Sequence, residues 1–314
     1  MKTIYLDHAA ATETDSSVVR SMMPYFLETV GNPSSLHSAG REASGALEMA
    51  RGEVAGVLGA SSSEIIFTGS GTESDNLAVI GCAHAYQGYG KHIIVSKIEH
   101  PATLKAAKRL ENGGFSVSYL PVNKQGLVDP DVLKKTLKSD TILVSIMYAN
   151  NEIGVVEPIK ELTAVVAKHR AGNNYPVFHT DACQAAGALS INVKKLGVDL
   201  LTLNGAKIYG PKGVGCLFKK SDVKIEAQVV GGGQEGGLRS GSEALPLIVG
   251  FAKALSLADK LRDKESKRLT TLRDYFIKKV LATISKSKLN GHKTKRLPNN
   301  INISIAGVEG EALL

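Results

Sequence analysis

Short apolar runs rich in β-branched residues alternate, along the first two thirds of the chain, with stretches whose apolar positions follow a helical period. The pattern predicts seven strands, at residues 65–67, 92–96, 115–119, 141–147, 177–180, 200–203 and 213–218. It predicts helices at residues 73–85, 100–112, 129–138 and 158–169. This alternation indicates an α/β protein with a mostly parallel seven-stranded sheet covered by helices.

The last part of the chain has a different pattern. Residues 244–284 are strongly helical and carry two apolar stripes, and the polar stretch 262–268 between them predicts a break. Residues 298–305 alternate like a strand. These elements suggest a smaller α+β lobe that follows the sheet.

Composition narrows the class of protein. The chain has 314 residues, 43% hydrophobic and 22% charged, as in an ordinary globular protein, and no window is apolar enough for a membrane span. Cys82, Cys183 and Cys216 lie far apart without metal-ligand spacing, which predicts no metal site, no disulfide framework and a cytoplasmic setting. The net charge of +8 lies entirely in residues 251–314. We interpret this surplus as a solvated helix face and expect no nucleic-acid or membrane partner.

Polar residues that can carry chemistry follow several of the predicted strands, and ligands of parallel sheets bind beyond the carboxyl ends of strands. Residues 69–76 (GSGTESDN) open a helix, where Gly71 and Thr72 could bind an anion. Capping of the helix by Ser70 or Thr72 is an equally good interpretation. Lys207 stands between an apolar strand and a glycine-rich turn, where an amine can attack an aldehyde.

Three more candidates follow other strands. Asp181 could pair with a protonated pyridine nitrogen, or it could cap a helix with Gln184 completing a capping box. His100, on a turn fixed by a proline, could stack on a flat ring or move a proton. The amides at residues 150–151 could bind a ring hydroxyl or serve as ordinary turn residues.

Together these segments resemble the pyridoxal-phosphate enzymes of the class V aminotransferase group, and most closely the cysteine desulfurases. Further matching motifs lie at residues 5–12 (YLDHAAAT), 31–35 (GNPSS), 239–242 (RSGS) and 309–311 (EGE). The resemblance implies the fold type I architecture of pyridoxal-phosphate-dependent transferases. It divides the chain into an N-terminal segment (1–15) that contributes to the small lobe and the site, a large cofactor-binding domain (16–245) and an incomplete C-terminal lobe (246–314).

The resemblance also implies a role for each matching residue. Lys207 would bond to the aldehyde of pyridoxal 5'-phosphate, and His100 would stack on the ring and act with Lys207 in catalysis. The other expected cofactor contacts are Asp181 at the ring nitrogen, Gln184 and Asn151 near the ring hydroxyl, and Gly71, Thr72 and Asn204 at the phosphate. Ser242 would reach the phosphate of a neighbouring subunit, which implies a homodimer.

Two departures from the family pattern affect what we expect. Ala206 stands where close relatives have a phosphate-binding histidine, and Asn204 stands where serine is common. The family also has a later cysteine that accepts sulfur and an arginine that binds the substrate carboxylate, and this sequence ends before both. We therefore expect a truncated or split form, completed by a separate C-terminal polypeptide.

Three hypotheses remain open from the sequence. The first is a cysteine desulfurase that converts L-cysteine to L-alanine and passes sulfur to an acceptor or scaffold protein. The second is another class V transamination or lyase reaction on an amino acid. The third is a non-catalytic dimer partner that keeps the fold, which Ala206 and the early end of the sequence favour.

Overall fold

The computed structural model describes residues 4–313 and contains a seven-stranded sheet in the order β1-β7-β6-β5-β4-β2-β3. The strands are β1 (Ile65–Thr68), β2 (His92–Ser96), β3 (Ser116–Leu120), β4 (Thr141–Ser145), β5 (Val177–Asp181), β6 (Leu200–Asn204) and β7 (Gly215–Lys219). Only β7 runs antiparallel to its neighbours, β1 and β6. The other neighbouring strands pair in parallel, which confirms the predicted sheet.

Helices cover both faces of this sheet. They are α1 (Ser16–Met22), α2 (Pro24–Leu27), α3 (Ser38–Leu58), α4 (Gly71–Asn76), α5 (Cys82–Tyr86), α6 (Pro101–Asn112), α7 (Pro130–Thr136), α8 (Ile159–His169), α9 (Val193–Leu196) and α10 (Leu245–Thr283). A π-helical segment, Leu77–Gly81, joins α4 to α5, so the helix predicted at 73–85 is continuous from residue 71 to residue 86. None of the helices within residues 4–313 is long and apolar enough to cross a bilayer.

The central strands are buried on both faces, which explains their nearly unbroken apolar sequences. Because successive side chains of a strand point to opposite faces, Ile94 and Val144 join one apolar cluster, with α3 and the start of α10. Their neighbours Ile93 and Leu143 join a second cluster, with α5 and α6. The sheet is therefore the middle layer of three.

Two details of the C-terminal prediction were wrong. The break at residues 262–268 is absent, and α10 runs unbroken over 39 residues. The polar stretch contains no glycine or proline, and ion pairs one turn apart, such as Arg262 with Asp259 and Arg268 with Glu265, are compatible with a helix. The predicted strand 298–305 shrinks to β9 (Ile303–Ile305), which pairs with an unpredicted strand, β8 (Ser287–Leu289).

A buried ion pair joins the glycine-rich loop 229–241 to the edge of the sheet. Glu235 accepts two hydrogen bonds from the guanidinium of Arg51, at 2.7 and 2.8 Å, and a third from the backbone nitrogen of Phe67 at 2.8 Å. The carboxylate is only 2% exposed, and Arg51 also packs over the ring of Phe67. Bidentate geometry and the third donor offset the cost of burying both charges.

We expect Glu235→Gln to lower the free energy of unfolding by about 3 kcal/mol, because it removes the buried counter-ion of Arg51 and leaves only the exposed carboxylate of Glu48 at 3.0 Å. Urea unfolding followed by circular dichroism measures the change. Glu265→Gln, which breaks an exposed pair on α10, is the matched control and should have little effect. Equal midpoints for the two variants would contradict this role of Glu235.

Candidate active site

A cleft of about 480 Å³ opens where the chain leaves the carboxyl ends of the parallel strands. Parallel strands bring these ends to one edge of the sheet, which is where ligands bind in such folds. The lining residues are Asp7, Ala9, Ala10, Gly71, Thr72, Asp75, His100, Met147, Asn151, Asp181, Cys183, Gln184, Asn204 and Lys207. The cofactor contacts expected from the sequence all line this cleft except Ser242, and of the two amides at residues 150–151 only Asn151 is among the lining residues.

Lys207 ends a short 3-10 turn that follows β6. The side chain of Asn204 caps this turn by accepting a hydrogen bond from the backbone nitrogen of Ala206 at 3.1 Å. The amine of Lys207 donates to the carbonyl of Ala9 at 2.8 Å and to the carbonyl of Ala10. The lysine is therefore held at the cleft by backbone carbonyls of the N-terminal segment.

The N-terminal segment is itself attached to the chain around Lys207. The backbone nitrogen and hydroxyl of Thr12 both donate to the carbonyl of Ala206, and the hydroxyl accepts from the backbone nitrogen of Tyr209. Lys212 donates to the carbonyl of Thr12 at 2.6 Å. These contacts place the carbonyls of Ala9 and Ala10 against the lysine amine.

Asp181 is the last residue of β5 and is 6% exposed. Its carboxylate accepts a hydrogen bond from the backbone nitrogen of Cys183 at 2.9 Å, which forms a turn. No helix begins there within the described chain, so the capping interpretation of Asp181 was wrong. Gln184 instead donates to the carbonyl of Ala9 at 2.9 Å, next to Lys207.

His100 is the N-cap of α6. Its Nδ1 accepts a hydrogen bond from the backbone nitrogen of Ala102 at 3.1 Å, and Pro101 occupies the first position of the helix. In the neutral imidazole, the proton therefore lies on Nε2. The ring is held by the backbone at one nitrogen and lines the cleft.

The turn at residues 69–71 caps α4 and packs closely against Cys183 and Asn204. Ser70 accepts a hydrogen bond from the backbone nitrogen of Glu73 at 3.1 Å and so caps α4. A Cβ atom on Gly71 would lie 2.8 Å from the sulfur of Cys183 and 3.4 Å from Nδ2 of Asn204. Only glycine fits there, and the amide nitrogen of Asn204 faces the start of the helix. Capping by Ser70 leaves other first-turn N–H groups at Gly71 and Thr72 without intrahelical partners.

Two buried carboxyl groups near the cleft were missed by the sequence analysis. Asp75 lies one helical turn after Gly71, and one of its oxygens has no hydrogen-bond partner within residues 4–313. Burial, and then the charge of Asp181, raise its pKa well above the usual value. Glu99 directly precedes His100, and burial raises its pKa to about 8. The available signal was position: Glu99 adjoins His100, and Asp75 lies one helical turn after Gly71.

Neutral groups surround these carboxyls. His179 is fully buried, 3.7 Å from Asp75, and bonds to the hydroxyls of Ser145 and Thr202 at 2.8 and 3.1 Å. Burial lowers the pKa of His179 to about 3, so the imidazole is uncharged at neutral pH. His179 therefore supplies no positive charge to balance the buried carboxyl groups of Asp75 and Glu99.

The three cysteines, by contrast, are poorly suited to nucleophilic chemistry. All three are buried, and burial raises the pKa of each thiol, most clearly for Cys183 beside Asp181. A thiol that stays protonated is a weak nucleophile. Ser242 is exposed on the loop after Arg239, outside the cleft.

Comparison with known proteins identifies what this chain is similar to. The family model "Aminotransferase class-V" matches residues 4–314. "Cysteine desulfurase IscS" of Dictyoglomus turgidum is 51% identical over 99% of this chain and 78% of that protein. The protein of the same name from Methanosarcina thermophila is 47% identical over 100% of this chain and 76% of that protein.

Solved structures agree with the sequence matches. A structure titled "NifS-like protein" superposes with a TM-score of 0.95 at 36% identity, over 99% of this chain and 84% of that chain. A structure titled "SspA in complex with cysteine" has a TM-score of 0.77 at 38% identity, over 81% of this chain and 72% of that chain. These likenesses confirm the fold expected from the sequence motifs.

We expect Glu99→Gln to remove one source of pH-dependent stability. A carboxyl whose pKa rises from 4.5 to about 8 on folding weakens the fold as pH rises between those values, because the unfolded chain releases a proton that the folded chain keeps. Glutamine can still accept the hydrogen bonds from Ser96 and from the backbone nitrogen of Met147.

The unfolding free energy of Glu99→Gln relative to the original protein should therefore increase steadily across this pH range. Urea titrations at several pH values measure the difference, and all other titrating groups are common to both proteins. A difference that is independent of pH would contradict the assignment of a neutral Glu99.

Proposed function

Because this chain belongs to the class-V aminotransferase family, within its cysteine desulfurase branch, we propose that it uses pyridoxal 5'-phosphate to take sulfur from L-cysteine and release L-alanine. The observation that carries the proposal is the shared cleft: the amine of Lys207, the carboxylate of Asp181, the ring of His100 and the turn at Gly71 line one cavity. An aldehyde, a pyridine nitrogen, a flat ring and a phosphate need such partners.

The residues present fit this cofactor. Lys207 supplies the amine for its aldehyde, and Asp181, only 6% exposed, supplies the negative charge for its ring nitrogen. Gln184 and Asn151 serve the ring hydroxyl. When bound, the cofactor supplies an electron sink for bonds broken at the amino acid.

At the phosphate end of the proposed site, Ala206 supplies no side-chain donor. This residue contributes only its backbone, whose carbonyl accepts from Thr12 and whose nitrogen donates to Asn204. The amide nitrogen of Asn204 faces Gly71 and, with Thr72, supplies donors that the alanine lacks. We assign Gly71, Thr72 and Asn204 to the phosphate on this basis.

The remaining side chains orient groups and hold protons. His100 lines the cleft and, in its neutral form, carries its proton on Nε2, from which it can be exchanged with a group bound there. The amine of Lys207 can take or return a proton at the carbon next to the substrate nitrogen.

The reaction consumes L-cysteine and a thiol, and it yields L-alanine and a persulfide. The carbon–sulfur bond of cysteine breaks, its electron pair stays with carbon, and that carbon gains a proton. The relatives are named cysteine desulfurases, and one similar structure is titled as a complex with cysteine, which supports this substrate.

The acceptor thiol in this proposal is none of the three cysteines of the chain, because all are buried and held protonated. A sulfur acceptor, a scaffold protein or a separate C-terminal polypeptide supplies it. The sulfur is then available for iron–sulfur cluster assembly. The three unpaired thiols support a reducing compartment, such as the cytoplasm.

We expect Lys207→Ala to abolish the visible absorbance that appears when the protein is mixed with pyridoxal 5'-phosphate, because the covalent link needs this amine. Lys264→Ala is the matched control, since Lys264 is an exposed lysine of α10 that does not line the cleft. It should keep the absorbance. Unchanged spectra for Lys207→Ala would remove Lys207 from this role.

Product analysis separates the reaction classes. With cysteine and an added thiol acceptor, the proposal predicts alanine and persulfide in equal amounts. Keto acids from several amino acids would indicate a transaminase instead. Cofactor absorbance without any turnover, with the thiol acceptor present, would indicate a non-catalytic partner.

We propose further that the chain forms a homodimer in which Ser242 of each protomer serves the phosphate of the other. A mixture of Ser242→Ala and Lys207→Ala protomers should then recover cofactor absorbance and affinity, because the mixed dimer has one site with both residues intact. Each variant alone should be deficient. Sedimentation as a monomer, or no recovery on mixing, would contradict the shared site.

A further inference from the structure

The active-site loop 150–154, which carries Asn151, is enclosed by a segment from the C-terminal part of the chain. The backbone nitrogen of Leu297 donates to the carbonyl of Gly154 at 2.8 Å, and the nitrogen of Val156 donates to the carbonyl of Lys295 at 3.0 Å. Residues 155 and 296 form an isolated antiparallel bridge. Two parts of the chain that are distant in sequence thus meet at the cleft.

Three side chains on this segment, Arg296, Asn300 and Asn302, bind the carbonyls of the loop, and we call them the loop clamp. Asn300 donates to the carbonyl of Glu152 at 3.0 Å and lies 3.5 Å from the carbonyl of Asn151. Arg296 donates to the carbonyl of Ile153 at 3.1 Å and to the side-chain oxygen of Asn300 at 3.1 Å. Asn302 donates to the carbonyl of Glu152 at 3.1 Å.

Arg296 is only 5% exposed, and no carboxylate lies within ion-pair distance of it in the described chain. Its charge is compensated by oxygen acceptors: the carbonyls of Asn290 and His292, besides Ile153 and Asn300. A buried charge of this kind is costly and is retained where its hydrogen bonds fix a particular arrangement. Here the arrangement is the orientation of Asn300 against the loop.

The fit at the loop is tight. Gly154 has φ = +70°, and a Cβ atom there would lie 2.4 Å from the side chain of Asn300. Gly154 therefore admits both the backbone turn and the close approach of Asn300. A change of even one atom at residue 300 is expected to alter these contacts.

The loop in turn is joined to the turn that carries His100. The side chain of Asn150 donates to the carbonyl of Ile98 at 3.0 Å and accepts from the backbone nitrogens of Glu152 and Ile153, both at 2.9 Å. The clamp, the loop and the turn before His100 thus form one continuous set of hydrogen bonds. Arg273 on α10 extends it by donating to the carbonyl of Leu297 at 2.8 Å.

We propose that Asn300, oriented by Arg296, is a positioning residue that fixes loop 150–154 and with it Asn151, so that the C-terminal part of the chain controls the geometry of the cofactor site. The role of Asn151 at the cofactor rests on the proposed function, whereas the clamp itself does not. The side chain of Asn300 hydrogen-bonds to the loop and to Arg296, and acts through Asn151.

Hydrogen–deuterium exchange and cofactor titration test this proposal on the full chain. Asn300→Ala should speed exchange of the amides at 151–156 by about fivefold or more, the effect of losing one hydrogen bond, while residues 71–86 exchange as before. The dissociation constant for pyridoxal 5'-phosphate should rise by a similar factor. Asn299→Ala, at the exposed neighbour, should change neither quantity.

Asn300→Asp is the second variant, because it keeps an acceptor for Arg296 and loses the donor to the loop. It should reproduce the faster exchange at 151–156, and it carries the test if Asn300→Ala does not fold. Unchanged exchange there, a uniform increase over the whole chain, or faster exchange with unaltered cofactor affinity would each overturn the proposal. If the original protein binds no cofactor, the proposed function fails, and exchange alone still decides whether the clamp holds the loop.

Discussion

The amine of Lys207 is fixed by two backbone carbonyls of the N-terminal segment, and the site depends on this arrangement. The carbonyls of Ala9 and Ala10 hold the amine in the cleft that the carboxylate of Asp181 also lines. The position of these carbonyls depends on the hydrogen bonds of Thr12 to the turn after β6. Lys207, which follows β6, and Asp181, which ends β5, thus line one cleft, and the N-terminal segment fixes the lysine there.

Buried acidic side chains line the cleft and lie beneath it. Asp75, Glu99 and Asp181 are all buried, and the nearby imidazole of His179 is neutral. Burial raises the pKa of Asp75 and of Glu99, and both lie near Asp181, where a ring nitrogen is proposed to bind. A protonated carboxyl can donate as well as accept hydrogen bonds, so Asp75 and Glu99 can shape the hydrogen bonding around Asp181 and His100.

Much of the fold and the cleft could be predicted from the sequence, because strands buried on both faces are unbroken apolar runs and the residues after them share one edge of the sheet. The predicted break in α10 was wrong, since a polar stretch without glycine or proline does not end a helix. The loop clamp could not be foreseen. Asn300 and Asn151 meet only through tertiary packing, and Asn300 lies in a segment that its alternating pattern assigned to a strand.

The most direct measurement is to reduce a mixture of the protein and pyridoxal 5'-phosphate with borohydride and map the modified residue by mass spectrometry. We expect one pyridoxyl group per chain, on the peptide that contains Lys207, and no comparable labelling of the other lysines. Labelling spread over surface lysines, or none at Lys207, would contradict it.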